Sequence, residues 1–275
     1  DLHLSIRRQR QMCIRDRDYL YPKKFNIIII MDTLKKEIAI LIQCSDFKEI
    51  EKQLQTINKL IVTNYMFELS NGLRIYPIEV EAYFKHPKFN DGFVHGNELQ
   101  KNNYGKFYVH RTGMTKNSKI KGGTRGGIDL CLSDSTDIYY GILIRSAQFD
   151  DGTIKFGPNN VLKFIVEDKN LDYNTLEEEF VLKEAVEDCR DRENKSIILH
   201  STRVGLGRNQ SDDFRDSQLR TIAGPLLSSY AYKEKENVFK HYIINENISK
   251  EEAEKISIDI LGYCPKSLIK SVYQA

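Results

Sequence analysis

No stretch of this chain is apolar for long enough to cross a membrane. A spanning helix needs about 20 apolar residues, and the run from Phe25 to Met31 falls far short of that. No signal peptide is evident around it. Cysteine is sparse: Cys13, Cys44, Cys131, Cys189 and Cys264 are widely scattered, without Cys-x-x-Cys spacing. That argues for a reducing, cytoplasmic setting and against a structural zinc. Neither a metal nor a cofactor is expected. A dominant charge is missing too, with 41 Lys and Arg against 39 Asp and Glu. Internal repeats and low-complexity tracts are absent. These absences leave a folded, membrane-free protein whose chemistry must sit in local patterns.

The amino terminus is set apart. Residues 1–17, with Arg7-Arg8-Gln9-Arg10 at their centre, resemble one reading frame of a sequencing adapter. Residues 18–30 read as translated upstream sequence ahead of Met31, so 1–30 is expected to be unfolded and to contribute nothing to the fold. It holds seven of the basic and three of the acidic residues, which leaves 34 against 36, or −2, from Met31 onward. A nucleic-acid surface would therefore need local clustering of Lys and Arg. Residues 31–275 have the length of one large domain. We expect a single domain, monomeric, with a helical tail over 233–275.

Periodicity supplies the elements. Met31 to Gln43 fits helix or strand equally. Ser45 to Ile61 is an amphipathic helix with Phe47, Ile50, Leu54 and Ile57 on one stripe and Ser45 as N-cap. Val62 to Leu69 and Leu73 to Tyr83 flank Asn71-Gly72, which predicts a hairpin with a type I′ turn. Pro77 inside the second strand calls for a bulge or an unpaired position. Ile138 to Ser146 is a strand, and Asp150-Asp151-Gly152 a turn. Helices are expected from Pro158, over Thr175 to Arg190, and over Asn247 to Gly262, the last opened by a Ser249/Glu252 capping box. A short strand covers Ser196 to Leu199, and Ser211 to Ser217 is a polar loop. The fold class is α+β: a curved mixed or antiparallel sheet, partly open and barrel-like, flanked by helices.

Two strands carry the chemistry. Side chains alternate along a strand, so Ile78, Val80 and Ala82 face a core while Glu79, Glu81 and Tyr83 face the other way. Phe107 and Val109 likewise oppose Tyr108 and His110. With Asp91 and His95 between them, neighbouring strands would collect a carboxylate, two tyrosines and imidazoles in one cleft. From Leu99 to Ile128 there is no carboxylate, while Lys101, Lys106, Arg111, Lys116, Lys119, Lys121 and Arg125 accumulate among glycines. Such a loop is either solvated or built to contact phosphates. Lys121-Gly122-Gly123-Thr124 lacks the ending of a Walker loop.

The order Glu79-Val80-Glu81-Ala82-Tyr83, Asp91 to His95, Gly105 to Val109, Cys131-Leu132-Ser133, Ile142 to Arg145 and Arg203-Val204-Gly205 resembles the alkyladenine (3-methyladenine) DNA glycosylase family. The likeness runs over roughly residues 54–232. It implies base-excision repair: a damaged base is flipped out of DNA and its N-glycosidic bond is hydrolysed, with no lyase step and no cofactor. Glu81 would activate the water, and Arg145 would hold that water and the nucleotide backbone. Tyr83, His95, Tyr108 and His110 would wall the base, with Ser133 and Val204 at its edge. Lys106, Arg111, Lys116, Lys119, Lys121 and Arg125 would meet the DNA. His110 replaces a stacking tyrosine of the family and Ser133 an asparagine. The duplex-wedging tyrosine has no counterpart, and Met114 is the candidate substitute. Glu79 receives no catalytic role. A carboxylate suits the water-activating task, being ionised at neutral pH with an ordinary pKa of about 4.3. Two other readings remain open: a catalytically weak nucleic-acid-binding protein of the same fold, and a hydrolase of free nucleosides.

Overall fold

The structure is a computed structural model, and it describes residues 33–185, 197–207, 212–224 and 226–274. The expected unfolded segment 1–30 lies outside the described residues. The stretch of ambiguous periodicity is a helix, α1 (33–43). α2 (Phe47–Asn64) buries Ile50, Leu54, Ile57 and Ile61, the anticipated stripe. Its cap is Asp46, not Ser45: the Asp46 carboxylate accepts from the N–H groups of Lys48 (2.9 Å) and Glu49 (3.2 Å). Two free helix-end donors are satisfied there, with a negative charge at the positive end of the helix dipole.

β1 (Tyr65–Glu68) and β2 (Arg74–His86) form the hairpin. Its turn is not type I′, because only Gly72 has a left-handed backbone (φ +81°) while Asn71 does not. The Asn71 side chain instead accepts from Leu73 N–H, 3.1 Å. Further strands follow as β3 (Phe89–Asn90), β4 (Phe107–Val109), β5 (Ile128–Cys131), β6 (Tyr139–Phe149), β7 (Ile154–Phe156), β8 (Leu182–Glu184), β9 (Ile197–Ser201) and β10 (Arg220–Gly224). They make one curled sheet whose main path runs β4-β5-β6-β2-β1-β8, with β10 and β9 added beside β2. Among the described residues every strand pairing is antiparallel, so the sheet is not mixed.

β2 is the spine of this sheet. Along one edge it pairs with β6 from Ile75 to Lys85. Along the other it pairs first with β1, up to Ile75, and then with β10 over Glu79 to Glu81. Pro77 stands between these two partners, and the β6 register shifts between Pro77 and Glu79. A residue without an N–H belongs at such a break.

Helices cover the sheet: α3 (Pro158–Lys163), α4 (Tyr173–Glu178), α5 (Asp212–Asp216), α6 (Lys235–Asn245), α7 (Lys250–Leu261) and α8 (Lys266–Tyr273). Two of these correct the sequence reading. The helix expected over Thr175 to Arg190 stops at Glu178, because Leu182 and Lys183 pair with β1 as strand β8; residues 186–190 lie outside the described residues. Within the expected polar loop, α5 forms a short helix. Half of the capping box forms, Ser249 Oγ accepting from Glu252 N–H at 3.2 Å, and Gly262 ends α7 at φ +86°. The tail helices bury Val238, Phe239, Ile243, Ile260 and Ile269 against Leu199 and Ile222 of β9 and β10.

Asp46→Ala should cost about 1 kcal/mol, the usual worth of an N-cap, and lower the melting temperature by about 2–4 °C. Thermal unfolding followed by circular dichroism measures it; an unchanged midpoint would show that α2 is held by packing alone.

Candidate active site

From Val80 on, the alternation of β2 does what it suggested: Val80 and Ala82 are fully buried in the main core, and Glu79, Glu81 and Tyr83 point to the opposite side, while Ile78, at the register shift, is buried outside that core. Glu79 and Glu81 are nonetheless 2% and 0% exposed. Buried carboxylates need donors, and the neighbouring strands supply them. Arg220 on β10 reaches Glu79 at 2.6 Å, and Arg145 on β6 reaches Glu79 at 3.1 Å and Glu81 at 3.4 Å. The Ser146 hydroxyl also donates to Glu79. Burial works to raise the Glu79 pKa, but the two guanidinium groups outweigh it and hold Glu79 below the usual carboxylate range. Glu79 is thus the counter-ion of the arginine pair.

Glu81 has a different set of partners. Its Oε1 accepts from Val204 N–H at 2.7 Å, and its Oε2 from the Tyr83 hydroxyl at 3.0 Å. Burial, then the charge of Glu81, pushes the Tyr83 phenol well up, so it stays a protonated donor. Arg203 lies 4.7 Å above the Tyr83 ring and forms a fully buried pair with Asp91 at 2.6 Å. That pair fastens the loop carrying Phe93 and His95 to the segment carrying Val204. In the sequence Asp91 and Arg203 are only parts of a pattern; their shared role as this clamp needed the structure.

Tyr83, Phe93, His95, Gln100, His110, Asp129, Leu143 and Val204 to Leu206 line a cavity of about 180 Å³. A cavity of about 150 Å³ holds benzene, so one planar heterocycle is the scale of guest. Glu81 is not in the lining; it sits behind Tyr83 and Val204, which are. β2 and β4 are not neighbours, since β5 and β6 lie between them. The curl of the sheet, not direct pairing, brings His110 to the cavity.

A polar corner closes this cavity, joining the expected His95 and His110 to Asp129 and Gln100, which the sequence did not reveal as site residues. His110 Nε2 lies 2.7 Å from Asp129 Oδ1, and Gln100 Nε2 donates to Asp129 Oδ2 at 2.9 Å. Burial acts to raise the Asp129 pKa, and the adjoining His110 overrides it, so the carboxyl is held low. The His95 ring meets His110 edge-on at 4.3 Å. Ligand atoms of His95, His110 and Asp129 all fall within 4.8 Å of one another, the one such grouping among the described residues. The sequence hint was alternation: Asp129 pairs with Leu143 across the sheet and faces the cavity side with it.

His95 is pulled down to about 4, first by burial and then by His110 and Lys121. Lys121 Nζ lies 3.1 Å from His95 Nε2. An ammonium only donates, so Nε2 accepts and Nδ1 carries the proton towards the Tyr108 oxygen, 3.5 Å away.

The basic residues divide. Lys119, Lys121 and Arg125 line a second groove of about 340 Å³ with Thr112, Ile120 and Gly122, and Lys121 links it to His95 in the cavity. Lys116 is exposed nearby, and Met114 is 71% exposed on the same loop. Arg111 is a correction: it is 7% exposed and forks onto Glu177 with two 2.6 Å bonds, so it braces the loop and has no free face for a phosphate. Lys106 is half-buried, its backbone bridged to Phe180, away from the groove. Ser133 also falls outside the lining, its hydroxyl donating to the Ile138 carbonyl at 2.8 Å. Tyr108, fully buried, backs His95 and His110 without reaching the cavity.

Compared with known proteins, the chain matches no family model and no curated sequence. No helix among the described residues is long and apolar enough to cross a membrane.

The His95 value has a measurable consequence. Folding lowers it to about 4 from about 6.5 in the unfolded chain. Between these values the unfolded state binds the extra proton, so stability is complete above about pH 6.5 and declines as pH falls towards 4. His200, also held at about 4 by burial and Lys59, adds to the same window. Urea midpoints at pH 7.5 and 5.0 should therefore differ in the wild type and differ less in His95→Gln. An equal gap in both proteins would contradict a neutral His95.

Proposed function

We propose that this protein is a monofunctional DNA N-glycosylase that hydrolyses the bond between deoxyribose and a damaged purine. One observation carries the reading: a buried Glu81, oriented by Val204 N–H, Tyr83 and Arg145, stands directly behind an aromatic cavity sized for one base. The adjoining lysine groove supports it further, because a flipped nucleotide trails a phosphate backbone that needs cations beside the pocket.

In this mechanism the base enters between Tyr83, Phe93 and His95 and stacks there. The anomeric carbon then lies towards Val204 and Tyr83. Each carboxylate oxygen has two acceptor sites, and Val204 N–H takes one of those on Glu81 Oε1. The other is left for the attacking water, which reaches it only when Tyr83 or Val204 shifts aside, because Glu81 lies behind both. As the base leaves, positive charge grows on the sugar, and a fixed anion in a dry site stabilises it most. Arg145, tied to Glu79 as well, keeps Glu81 in place. No lysine is assigned to attack the sugar, so the product is an abasic site and not a cleaved strand. Met114, exposed on the loop, is the side chain offered to fill the vacated stack.

A second reading has its own observation. Glu81 is fully buried and both oxygens are engaged, as in a structural ion network. A binding protein with this pocket would capture a base and leave its bond intact.

Glu81→Gln should lower single-turnover base release by about 10²–10⁴-fold while binding of a damaged oligonucleotide stays near wild type. Oligonucleotides carrying hypoxanthine, ethenoadenine or 3-methyladenine, cleaved with alkali at abasic sites, provide the assay. Wild-type rates in the variant would end the mechanism, and binding without any abasic product would favour the second reading. Replacing Lys116, Lys119 and Arg125 by serine should flatten the plot of log affinity against log salt by about 0.7 to 0.9 for each phosphate that is no longer neutralised. An unchanged slope would make the groove a solvated surface.

A further inference from the structure

The polar corner of the cavity has more ligating groups than stacking a base requires. Asp129 is 2% exposed and His110 7%, and Gln100, at 1%, fixes the second Asp129 oxygen. Space has been left for this arrangement: a Cβ on Gly141 would come within 2.7 Å of Asp129 Oδ2 and 3.0 Å of Gln100 Nε2. The remaining Gln100 oxygen is buried without a hydrogen-bond partner, which puts an unused acceptor on the same side chain. An amide flip does not account for it, because the Asp129 carboxylate needs the NH₂ end facing it.

We infer that His95, His110 and Asp129 form a binding site for one divalent cation of the zinc or cobalt type, placed in the cavity that would receive the base. Two imidazoles and one carboxylate suit such ions, and three protein ligands leave a position open to the cavity. The His110 Nε2 to Asp129 Oδ1 separation of 2.7 Å needs to widen only to about 3.3 Å to span a tetrahedral ion with bonds of about 2.0 Å. The ion takes the place of the proton shared by these atoms, which moves to His110 Nδ1 through solvent. Gln100 then acts from behind by holding the ligating carboxylate in orientation, as outer partners of metal ligands do.

Lys121 makes the inference specific. Its Nζ lies 3.1 Å from His95 Nε2, which is the unprotonated ring nitrogen and hence the one the inference gives to the ion. The ammonium and the metal are therefore competitors for one atom, and they repel each other. Removing the lysine should strengthen metal binding, the opposite of what loss of a ligand would do. The consequence for activity rests on the glycosylase reading, while the binding does not: an ion at this corner fills base space and inhibits competitively.

Equilibrium dialysis with Co²⁺ at pH 7.5, with the visible spectrum recorded, tests the site on the whole chain. One equivalent should bind with the intense bands of a low-symmetry, near-tetrahedral site. His110→Asn and Asp129→Asn should weaken binding at least tenfold, and Lys121→Met should tighten it severalfold. Lys121 is on a partly exposed loop, so this variant stays informative where the buried changes impair folding. No saturable equivalent, indifference to both ligand changes, or weaker binding in Lys121→Met overturns the inference. Zn²⁺ should also raise the apparent KM for a damaged oligonucleotide, reversed by chelator. Excision without metal binding would defeat this inference alone, and metal binding without excision would defeat only the glycosylase reading.

Discussion

Two carboxylates two residues apart on one strand face are buried here beside two guanidinium groups, and most of the molecule is arranged to make that tolerable. Taking a carboxylate out of water costs several kcal/mol unless donors replace the water. Glu79 and Glu81 obtain theirs from Arg145 on β6, Arg220 on β10, Tyr83 on their own strand and the backbone after β9. Each donor comes from a different stretch of sequence, so the charges are compensated only when β6, β2, β10 and β9 are all in register. The network ties the identity of the sheet to the geometry of the site. It also explains why Glu79, with no reacting role, is as buried as its neighbour. Without Glu79, Arg220 would lose its carboxylate and Arg145 would keep only Glu81.

The second buried pair, Arg203 with Asp91, does for the loops what the first network does for the strands. The loop after β3 (91–97) and residues 202–207 after β9 lack regular secondary structure, and irregular backbone is where pockets lose their shape. A fully enclosed ion pair between them, roofed by Tyr83 and Phe93, holds the cavity walls at fixed separation. Removing one partner of such a pair leaves a buried charge and is more damaging than the pair is worth. The cavity is thus pre-formed, and its polar corner at His110, Asp129 and Gln100 is held as firmly as its aromatic walls.

Much of this was legible from residues alone where the signal is local. The stripe of α2, the two faces of β2 and β4, the break at Pro77 and the cap at Ser249 all follow from periodicity or from the chemistry of one residue type. The sequence reading failed where a local preference met a distant partner. Thr175 to Arg190 has helical character, but β1 offered Leu182 and Lys183 a ladder, and Glu177 was drawn onto Arg111. Arg111 looked like one more cation of a basic loop because nothing nearby in sequence reveals a carboxylate 66 positions on. Ser133 fell in the pattern of a pocket residue, yet its hydroxyl is engaged by a turn carbonyl five residues away.

Residue order alone sets the face each side chain takes and the residue types available on it: acid and phenol on β2, imidazole after β4, cations on the loop that follows. These are consequences of a two-residue strand period and need no knowledge of the rest of the chain. Tertiary structure alone decided which faces meet. β2 and β4 are separated by two strands, and the twist and curl of the antiparallel sheet bring Tyr83 of β2 and His110, just past β4, to one cavity. Asp129 entered the site the same way, through its pairing opposite Leu143 on β6. Contacts of this kind depend on strand order and register, which are set by the sum of all pairings and are written in no single segment.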